Sequence, residues 1–295
     1  MRVVIVTGQR PHHKNLCVQL ARAHELVAIL HPAATSRSHT SRWFARVKKQ
    51  GLLWTLLNLT GQAGRRKLEQ SFKAQESELA GVVAEFDQIA TGIRHFVDDF
   101  GADSNLDRLK TLAPDVVVCL GGPVYPKSFI QACPLVLNYH SGISPVYNGT
   151  ATIWFAFANG HPQWCGGTLM TMNTVVDGGD ILGHFLPDIS ENDNPASLFH
   201  KTTLGAAEMY SSLLKHLETS PRFSRVSQPR PLFYYRAVDW TLTHTLQVKR
   251  HLRQKTCARF VRNQAVIEHW RENSETAAAQ SFENLTHRLL LGRGT

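Results

Sequence analysis

Asp115 to Leu120 reads DVVVCL, five apolar residues in unbroken succession closed by Gly121-Gly122-Pro123. Successive side chains of a strand point to opposite faces. A run that is apolar at every position is therefore covered on both sides, as in a parallel sheet with helices on its two faces. This hexapeptide steers the chain toward an α/β fold. Val3 to Thr7 repeats the pattern and leaves into a turn at Gly8. Asn15 to His24 reads as a helix with Leu16, Leu20 and Ala23 on one face, and Leu26 to Leu30 as a second strand. Strand, helix, strand at this spacing predicts a βαβ unit. Further strands are expected at Leu135 to Tyr139, Gly167 to Asn173 and Ile181 to Leu186. Thr150 to Asn159 is apolar all round and predicts a buried helix, stopped by Gly160 and Pro162. Asn194-Pro195 opens a helix running to about Leu217.

The stretch 33–96 has a different character and reads as a basic helical insertion after the second strand. Between Ala33 and Leu68 it holds Arg37, Arg42, Arg46, Lys48, Lys49, Arg65, Arg66 and Lys67 and no acidic residue, interleaved with Trp43, Phe44, Val47, Leu52, Leu53, Trp54, Leu56, Leu57 and Leu59. Three readings stay open for it: a binder of phosphates on a sugar nucleotide, RNA or lipid; a basic amphipathic helix lying at a membrane; or a lid whose apolar face packs on the domain, which is favoured. Residues 220–231 (SPRFSRVSQPRP) read as a linker and 232–295 as a small C-terminal subdomain.

Hydrophobic residues make up 43% of the 295, enough for a sizeable core. The formal charge of +9 favours anionic partners without choosing among them. The five cysteines, Cys17, Cys119, Cys133, Cys165 and Cys257, are odd in number and show no CxxC spacing. Neither a disulfide framework nor a zinc site is indicated, and they read as buried small hydrophobes in a reducing compartment. The short apolar N-terminus does not make a signal peptide, and no apolar stretch reaches membrane-spanning length. A cytoplasmic protein is expected.

Chemistry concentrates in VLNYHSGISPVYNGT, Val136 to Thr150. Asn138 and His140, two apart on a strand, share a face at its carboxyl end, where ligands of open α/β sheets bind. The loop through Ser141, Gly142, Pro145 and Gly149 leads to the N-terminus of the buried helix, whose free N–H groups favour an anion. In TVVDGGDIL, Thr174 to Leu182, Asp177 precedes two glycines that permit a tight turn. An amide donor, an imidazole and a carboxylate are what acyl transfer to an amine needs: a donor for the growing oxyanion, and groups that take and give protons. Nothing in this chemistry needs a metal. Asp180 reads as a structural turn residue. His12-His13 lies on the ligand side of the sheet, where contact with a substrate phosphate is open and a solvated loop is favoured.

The run DVVVCLGGPVYPKSFIQACPLVLNYHSGISPVYNG resembles the folate-dependent formyltransferase family, which includes methionyl-tRNA formyltransferase, glycinamide ribonucleotide formyltransferase and the amino-sugar N-formyltransferases. The family signature is Asn-x-His near a strand end, a loop of the form S-x-L-P-x-x-x-G, and an Asp-x-Gly motif about 35 residues later. Here these stand as Asn138-Tyr139-His140, Ser141 to Gly149, and Asp177-Gly178-Gly179. The resemblance covers about residues 1–190 and departs at Ser144, where the family usually has Leu before the loop proline. It implies a Rossmann-like formyltransferase core with a mostly parallel sheet, and a catalytic domain over 1–219. Asn138 is expected to donate to the formyl oxygen. His140 is expected to stabilise the oxyanion and help pass protons, and Asp177 to orient His140 and take the amine proton. By the same resemblance, 10-formyltetrahydrofolate is the formyl donor, held by Leu120, Gly121, Gly122, Pro123, Val124, Asn173, Thr174, Val175 and Val176. Ser141, Gly142, Tyr147 and Gly149 are expected on the acceptor side.

The family divides by acceptor. A tRNA-binding module in the family runs to about 100 residues, and fewer follow the linker here, so a nucleotide-linked amino sugar fits best. Methionyl-tRNA is the runner-up, and no stable nucleic-acid complex is expected. Hydrolysis of the donor, a small non-sugar amine, a non-catalytic folate or nucleotide binder, and an RNA- or membrane-associating module are the alternatives. A homodimer stays open.

Overall fold

The computed structural model describes residues 1–33, 48, 51–71 and 78–291. Its strands are β1 (Arg2–Thr7), β2 (Glu25–Pro32), β3 (Arg94–Val97), β4 (Val116–Leu120), β5 (Val136–His140), β6 (Tyr147–Gly149), β7 (Gly167–Thr171), β8 (Ile181–Leu186), β9 (Phe233–Tyr235) and β10 (Ala265–Ile267). All but β6 and β9 form one sheet in the order β10-β8-β7-β5-β4-β1-β2-β3. From β3 to β5 every pairing is parallel. Beyond β5 the sheet alternates: β7 is antiparallel to β5, β8 to β7, and β10 to β8. β4 lies inside the parallel half, between β5 and β1, with every residue buried, as its unbroken apolar run requires.

Helices cover both faces: α1 (Pro11–Ala21), α2 (Leu52–Ser71), α3 (Ala80–Ile89), α4 (Asp103–Leu112), α5 (Lys127–Gln131), α6 (Thr152–Ala158), α7 (Pro195–Thr219), α8 (Leu242–Arg253) and α9 (Glu275–Leu290). Leu16, Leu20, Met209, Leu213 and Trp270 pack with Val3, Ile5 and Val118 on one side of the sheet. Val4, Val6, Leu109 and Phe129 pack with Val117 and Cys119 on the other. Asn194 caps α7 by accepting from the N–H groups of Ala196 and Ser197 at 2.9 and 3.0 Å, with Pro195 in the first turn. α6 is buried at every position.

Two expectations need correction. α1 begins at Pro11, whose fixed φ suits a first helical turn, rather than at Asn15. His12 is therefore a helix residue only 5% exposed, not part of a solvated loop. The stretch 33–96 is also not all inserted helix. α3 packs on α1, and β3 pairs with β2 and ends the sheet. β3 escapes a pattern search because it is an edge of four residues, RHFV, three of them not buried.

α2 reverses the favoured reading of the insertion. The face it turns inward, toward α8, is Thr55, Asn58 and Gly61, while Leu52, Leu53, Trp54, Leu56, Leu57 and Leu59 are exposed. Polar matching explains the inward face. Asn58 Nδ2 donates to the carbonyls of Val238 and Trp240 at 2.6 and 2.7 Å, and Trp240 Nε1 donates to the Gly61 carbonyl at 3.1 Å. A Cβ on residue 61 would strike the Thr241 backbone, so glycine is what lets the two segments approach. Arg37, Arg42, Trp43, Phe44, Arg46, Val47 and Lys49 lie outside the described residues.

The C-terminal segment is built into the rest. β10 extends the main sheet, and β9 pairs in parallel with β6. Within 220–231, Val226 exchanges two 2.8 Å hydrogen bonds with Ile181. Buried Arg262 donates to the carbonyls of Gln163, Cys165 and Pro187 at 2.7 to 2.9 Å. A polar chain, buried at His269, His184 and Ser144, also joins α9 to the loop after β5. Ser281 Oγ, His269, His184 and the Ser144 carbonyl follow one another at 3.1, 3.1 and 3.0 Å. One assignment satisfies every step: Ser281 donates to His269 Nδ1, His269 Nε2–H to His184 Nδ1, and His184 Nε2–H to Ser144.

That assignment has both rings neutral. Burial lowers His184 from 6.5 to about 4 and His269 from 6.5 to about 3. Between those values and 6.5 the unfolded chain binds more protons, so stability is intact above about pH 6.5 and falls as pH drops below it. The slope reaches at most about 1.4 kcal/mol per pH unit for each histidine. Urea denaturation at pH 7, 6 and 5 is expected to show this decline, and a His184→Gln/His269→Gln double variant to show a shallower one. Equal slopes for the two proteins would contradict neutral burial of the pair.

Candidate active site

The ends of β4, β5 and β7 and the first turn of α1 open onto a cleft of about 420 Å³, a volume typical of small-molecule sites. Asn138 and His140 both line it, as their spacing on β5 requires. Asn138 lies opposite Cys119 on β4 and Met170 on β7. Among the described residues its side-chain amide has no hydrogen bond within the chain, which leaves it available to a ligand.

Asp177 reaches the same cleft from the turn after β7. Its own φ of 52° lies in the left-handed region, and Gly178 and Gly179 follow. A side chain at 179 would strike the Thr171 carbonyl, so the turn closes only over glycine. The carboxylate is divided. Oδ1 stands 3.4 Å from His140 Nδ1, and Oδ2 accepts the Gly149 N–H at 3.0 Å. Asn148 Nδ2 donates to the Asp177 carbonyl at 2.9 Å. On the far side of the imidazole, Nε2 lies 3.1 Å from the Tyr147 carbonyl. The ring is thus held between a carboxylate and a carbonyl, with side-chain exposures of 7% for His140 and 11% for Asp177. Gly142 sits behind it, where an added Cβ would come within 2.5 Å of both His140 Nε2 and the Tyr147 carbonyl.

The loop Ser141 to Gly149 is stitched down at several points. Thr168 Oγ1 donates to the Gly142 carbonyl at 2.6 Å and accepts the Ser144 N–H at 2.9 Å. Thr152, in the first turn of α6, donates to the Ser141 carbonyl. From behind, the N–H groups of Leu232 and Phe233 donate to Pro145 and Val146 at 2.9 Å, and Thr150 N–H to Tyr235 at 2.7 Å. Gly149, at φ 98°, meets the Tyr235 backbone so closely that no side chain fits.

Leu120, Gly121, Gly122, Pro123 and Val124 all line the cleft, as do Asn173, Thr174, Val175 and Val176. Gly121 and Gly122 have φ of 72° and 132°, and a Cβ on Gly122 would strike the Tyr125 hydroxyl. The Asn173 side chain accepts from Val175 N–H at 2.9 Å and donates to the Gly178 carbonyl at 2.8 Å, closing the second segment into a firm turn. Val124 and Val175 are 70% and 63% exposed at the rim. A tight glycine backbone facing exposed apolar side chains suits a flat heteroaromatic ring with polar edges. The residues present therefore fit the pterin of a folate.

Of the residues expected on the acceptor side, Ser141 and Gly149 line the cleft and Gly142 and Tyr147 do not. Tyr147 is fully buried, its hydroxyl bonded to His161 Nδ1 at 2.8 Å and to Asn159 Nδ2 at 3.1 Å. Its position on β6, whose partner strand lies in the distant C-terminal segment, turns it inward. Asp180 faces Arg225 at 3.6 Å, off the cleft. His12, His13, Phe199, Thr203 and Tyr234 also line the cleft; the first pair was expected on this side of the sheet but in a solvated loop, and the other three escaped the sequence reading. Pro11 directly after a strand-and-glycine turn was the signal for the first pair; nothing local marks the others. Burial lowers His12 to about 3 and His13 to about 4, so this wall carries neutral imidazoles at pH 7. All five cysteines are buried. Burial pushes Cys17 and Cys257 up to about 12, which leaves both as inert thiols.

Similarity to known proteins agrees with this geometry. The formyl transferase family pattern matches residues 66–214, about half of the chain. A methionyl-tRNA formyltransferase of a Nitratiruptor species is 37% identical over 113 residues, 38% of this chain and 37% of that protein. One from Streptococcus sanguinis is 26% identical over 149 residues, 48% of each. The chain thus matches less than half the length of these relatives. In fold it is similar to a sugar N-formyltransferase from a Shewanella species, with a TM-score of 0.53 at 13% identity over 84% of this chain and 86% of that one. With the signature residues gathered at one cleft and the family pattern spanning half the chain, the protein belongs to the formyl transferase family, the folate-dependent formyltransferases.

Proposed function

We propose that this chain transfers a formyl group from 10-formyltetrahydrofolate to a primary amine, most plainly the amine of a nucleotide-linked amino sugar. The observation that carries the reading is the convergence of Asn138, His140 and Asp177 on one cleft, with the Asp177 carboxylate against the His140 ring. Leu120 to Val124 and Asn173 to Val176 would hold the folate, which supplies an activated formyl carbon. The unengaged Asn138 amide donates to the formyl oxygen as negative charge grows there. His140, its resting orientation set by Asp177 and the Tyr147 carbonyl, exchanges one of those contacts for the ligand, adding a second donor and passing a proton toward the leaving nitrogen. Asp177 receives the proton released by the attacking amine, directly or through His140. A bond forms between the amine nitrogen and the formyl carbon, and the bond from that carbon to the folate nitrogen breaks.

The sugar assignment is supported by the extent of similarity to the Shewanella sugar N-formyltransferase, which spans most of both chains. Methionyl-tRNA is the second reading, supported by the sequence identity of the tRNA enzymes over part of their length.

Purified protein incubated with 10-formyltetrahydrofolate and, separately, aminated nucleotide sugars, methionyl-tRNA or water distinguishes the readings. Rapid tetrahydrofolate release with one sugar, and formylated sugar by mass spectrometry, is expected. Release in the water tube at the same rate as in every other would replace transfer by hydrolysis. Alanine at Asn138, His140 or Asp177 is expected to lower kcat by about 10²- to 10⁴-fold with unchanged circular dichroism. Wild-type turnover by His140→Ala would falsify the assignment. Gly142→Ala is expected to cost about 10²-fold in kcat, since its methyl displaces the His140 ring from its two supports. A normal rate there would mean that the ring position is not critical.

A further inference from the structure

We propose that the ridge formed by α2 and α8 docks on an acidic phospholipid surface. The outward face of α2 inverts the usual order of a soluble helix. Leu52, Leu53, Trp54, Leu56, Leu57 and Leu59 are 36% to 73% exposed, while the buried positions are Thr55, Asn58 and Gly61. The helix is not simply misoriented, because those polar and small residues are matched by the Val238, Trp240 and Thr241 backbone. α8 beside it adds Leu242 and Leu246, 37% and 54% exposed. So many exposed apolar residues on two helices that pack together exceed what scattered surface leucines explain.

The charge around this face selects the partner. Residues 242–255 contain no carboxylate, and the one on α2, Glu69, is paired with Arg65 at 3.4 Å. Exposed Arg66 and Lys67 stand on α2, and exposed Lys249, Arg250, Arg253 and Lys255 on and just after α8. Leu53, Leu56, Thr60, Ala63 and Lys67 recur at intervals of three and four, so the leucines and the base share one exposed stripe. A second copy meeting this face symmetrically would bring two basic ridges together with only Glu69, already paired with Arg65, to offset them. RNA would use the cations but leave the leucines wet. An anionic bilayer uses both, the leucines and Trp54 entering the headgroup boundary and the bases holding anionic lipids. Among the described residues no helix is long and apolar enough to cross a membrane, so the contact is with the surface.

The test is sedimentation of the full chain with vesicles of phosphatidylcholine alone or mixed with phosphatidylglycerol, at low and high salt. Binding to the mixed vesicles that weakens with salt is expected. Leu53→Ser/Leu56→Ser should reduce the partition coefficient at least about tenfold. Arg66→Gln/Lys67→Gln should reduce it about fivefold per charge, and only for the anionic vesicles. Thermal melts of both variants check the fold. The proposal is overturned by absence of binding at low salt, by binding that ignores the leucine pair, or by a dimer in velocity sedimentation that the leucine pair abolishes while vesicle binding is nil. The readout does not involve formyl transfer, so it stands or falls separately from the proposed activity.

Discussion

Asp177 holds three parts of the chain in register through two oxygens and a carbonyl. Oδ1 faces the His140 ring at the end of β5, Oδ2 takes the Gly149 N–H at the end of the loop, and the backbone carbonyl takes the Asn148 amide. A carboxylate on an exposed turn does little for geometry, because side-chain entropy and water compete with it. Here the left-handed φ of Asp177 and the two glycines after it fix the direction in which the side chain leaves, and its exposure is low. The imidazole consequently has a partner at each nitrogen before any ligand arrives. Such preorganisation is the largest contribution a protein can make to a reaction in which charge moves between oxygen and nitrogen.

Distant chain supports that arrangement. The loop from Ser141 to Gly149 has almost no regular structure of its own. Its carbonyls at Pro145 and Val146 are bonded by the C-terminal segment, Ser144 is held by the buried His184, and Gly149 is pressed by Tyr235. Backbone groups buried behind a cleft must find partners, and a loop that cannot supply them internally borrows them. Residues 232–239 therefore complete the rear wall of the candidate site, whatever else the C-terminal segment does.

The parallel half of the sheet was legible in sequence because burial on both faces forces runs such as DVVVCL. The Asn138–His140 pair followed from strand periodicity, and its meeting with Asp177 was implied only by resemblance to a family. Spacing along a chain cannot place a carboxylate 37 positions away beside a given imidazole. The antiparallel turn-back at β7 was hidden for a related reason: Gly167 to Thr171 is buried on both faces, so its run does not report direction. Tyr147 looked like a loop residue near a reactive site. Its burial comes from a strand partner 86 residues later, which no local pattern encodes. α2 misled most, since apolar spacing ordinarily marks the packed face of a helix. What packs instead is held by specific hydrogen bonds from Asn58 and to Gly61, invisible to a hydropathy pattern.

Those bonds connect the exposed ridge to the reacting groups through an unbroken series of contacts. Gly61 of α2 accepts from the Trp240 indole, whose ring lies edge-on to Phe155 of α6 with centroids 5.0 Å apart. Phe155 stacks on Tyr235 at 3.8 Å and 2°. The Tyr235 backbone abuts Gly149, and the Gly149 N–H holds the Asp177 carboxylate. Aromatic rings packed face to face and edge to face transmit displacement because an interior at crystal-like density has no slack to absorb it. Contiguity alone does not establish energetic coupling, which requires an element with two arrangements. One route for such coupling runs through Trp240, whose side chain touches both α2 and the buried helix behind the cleft.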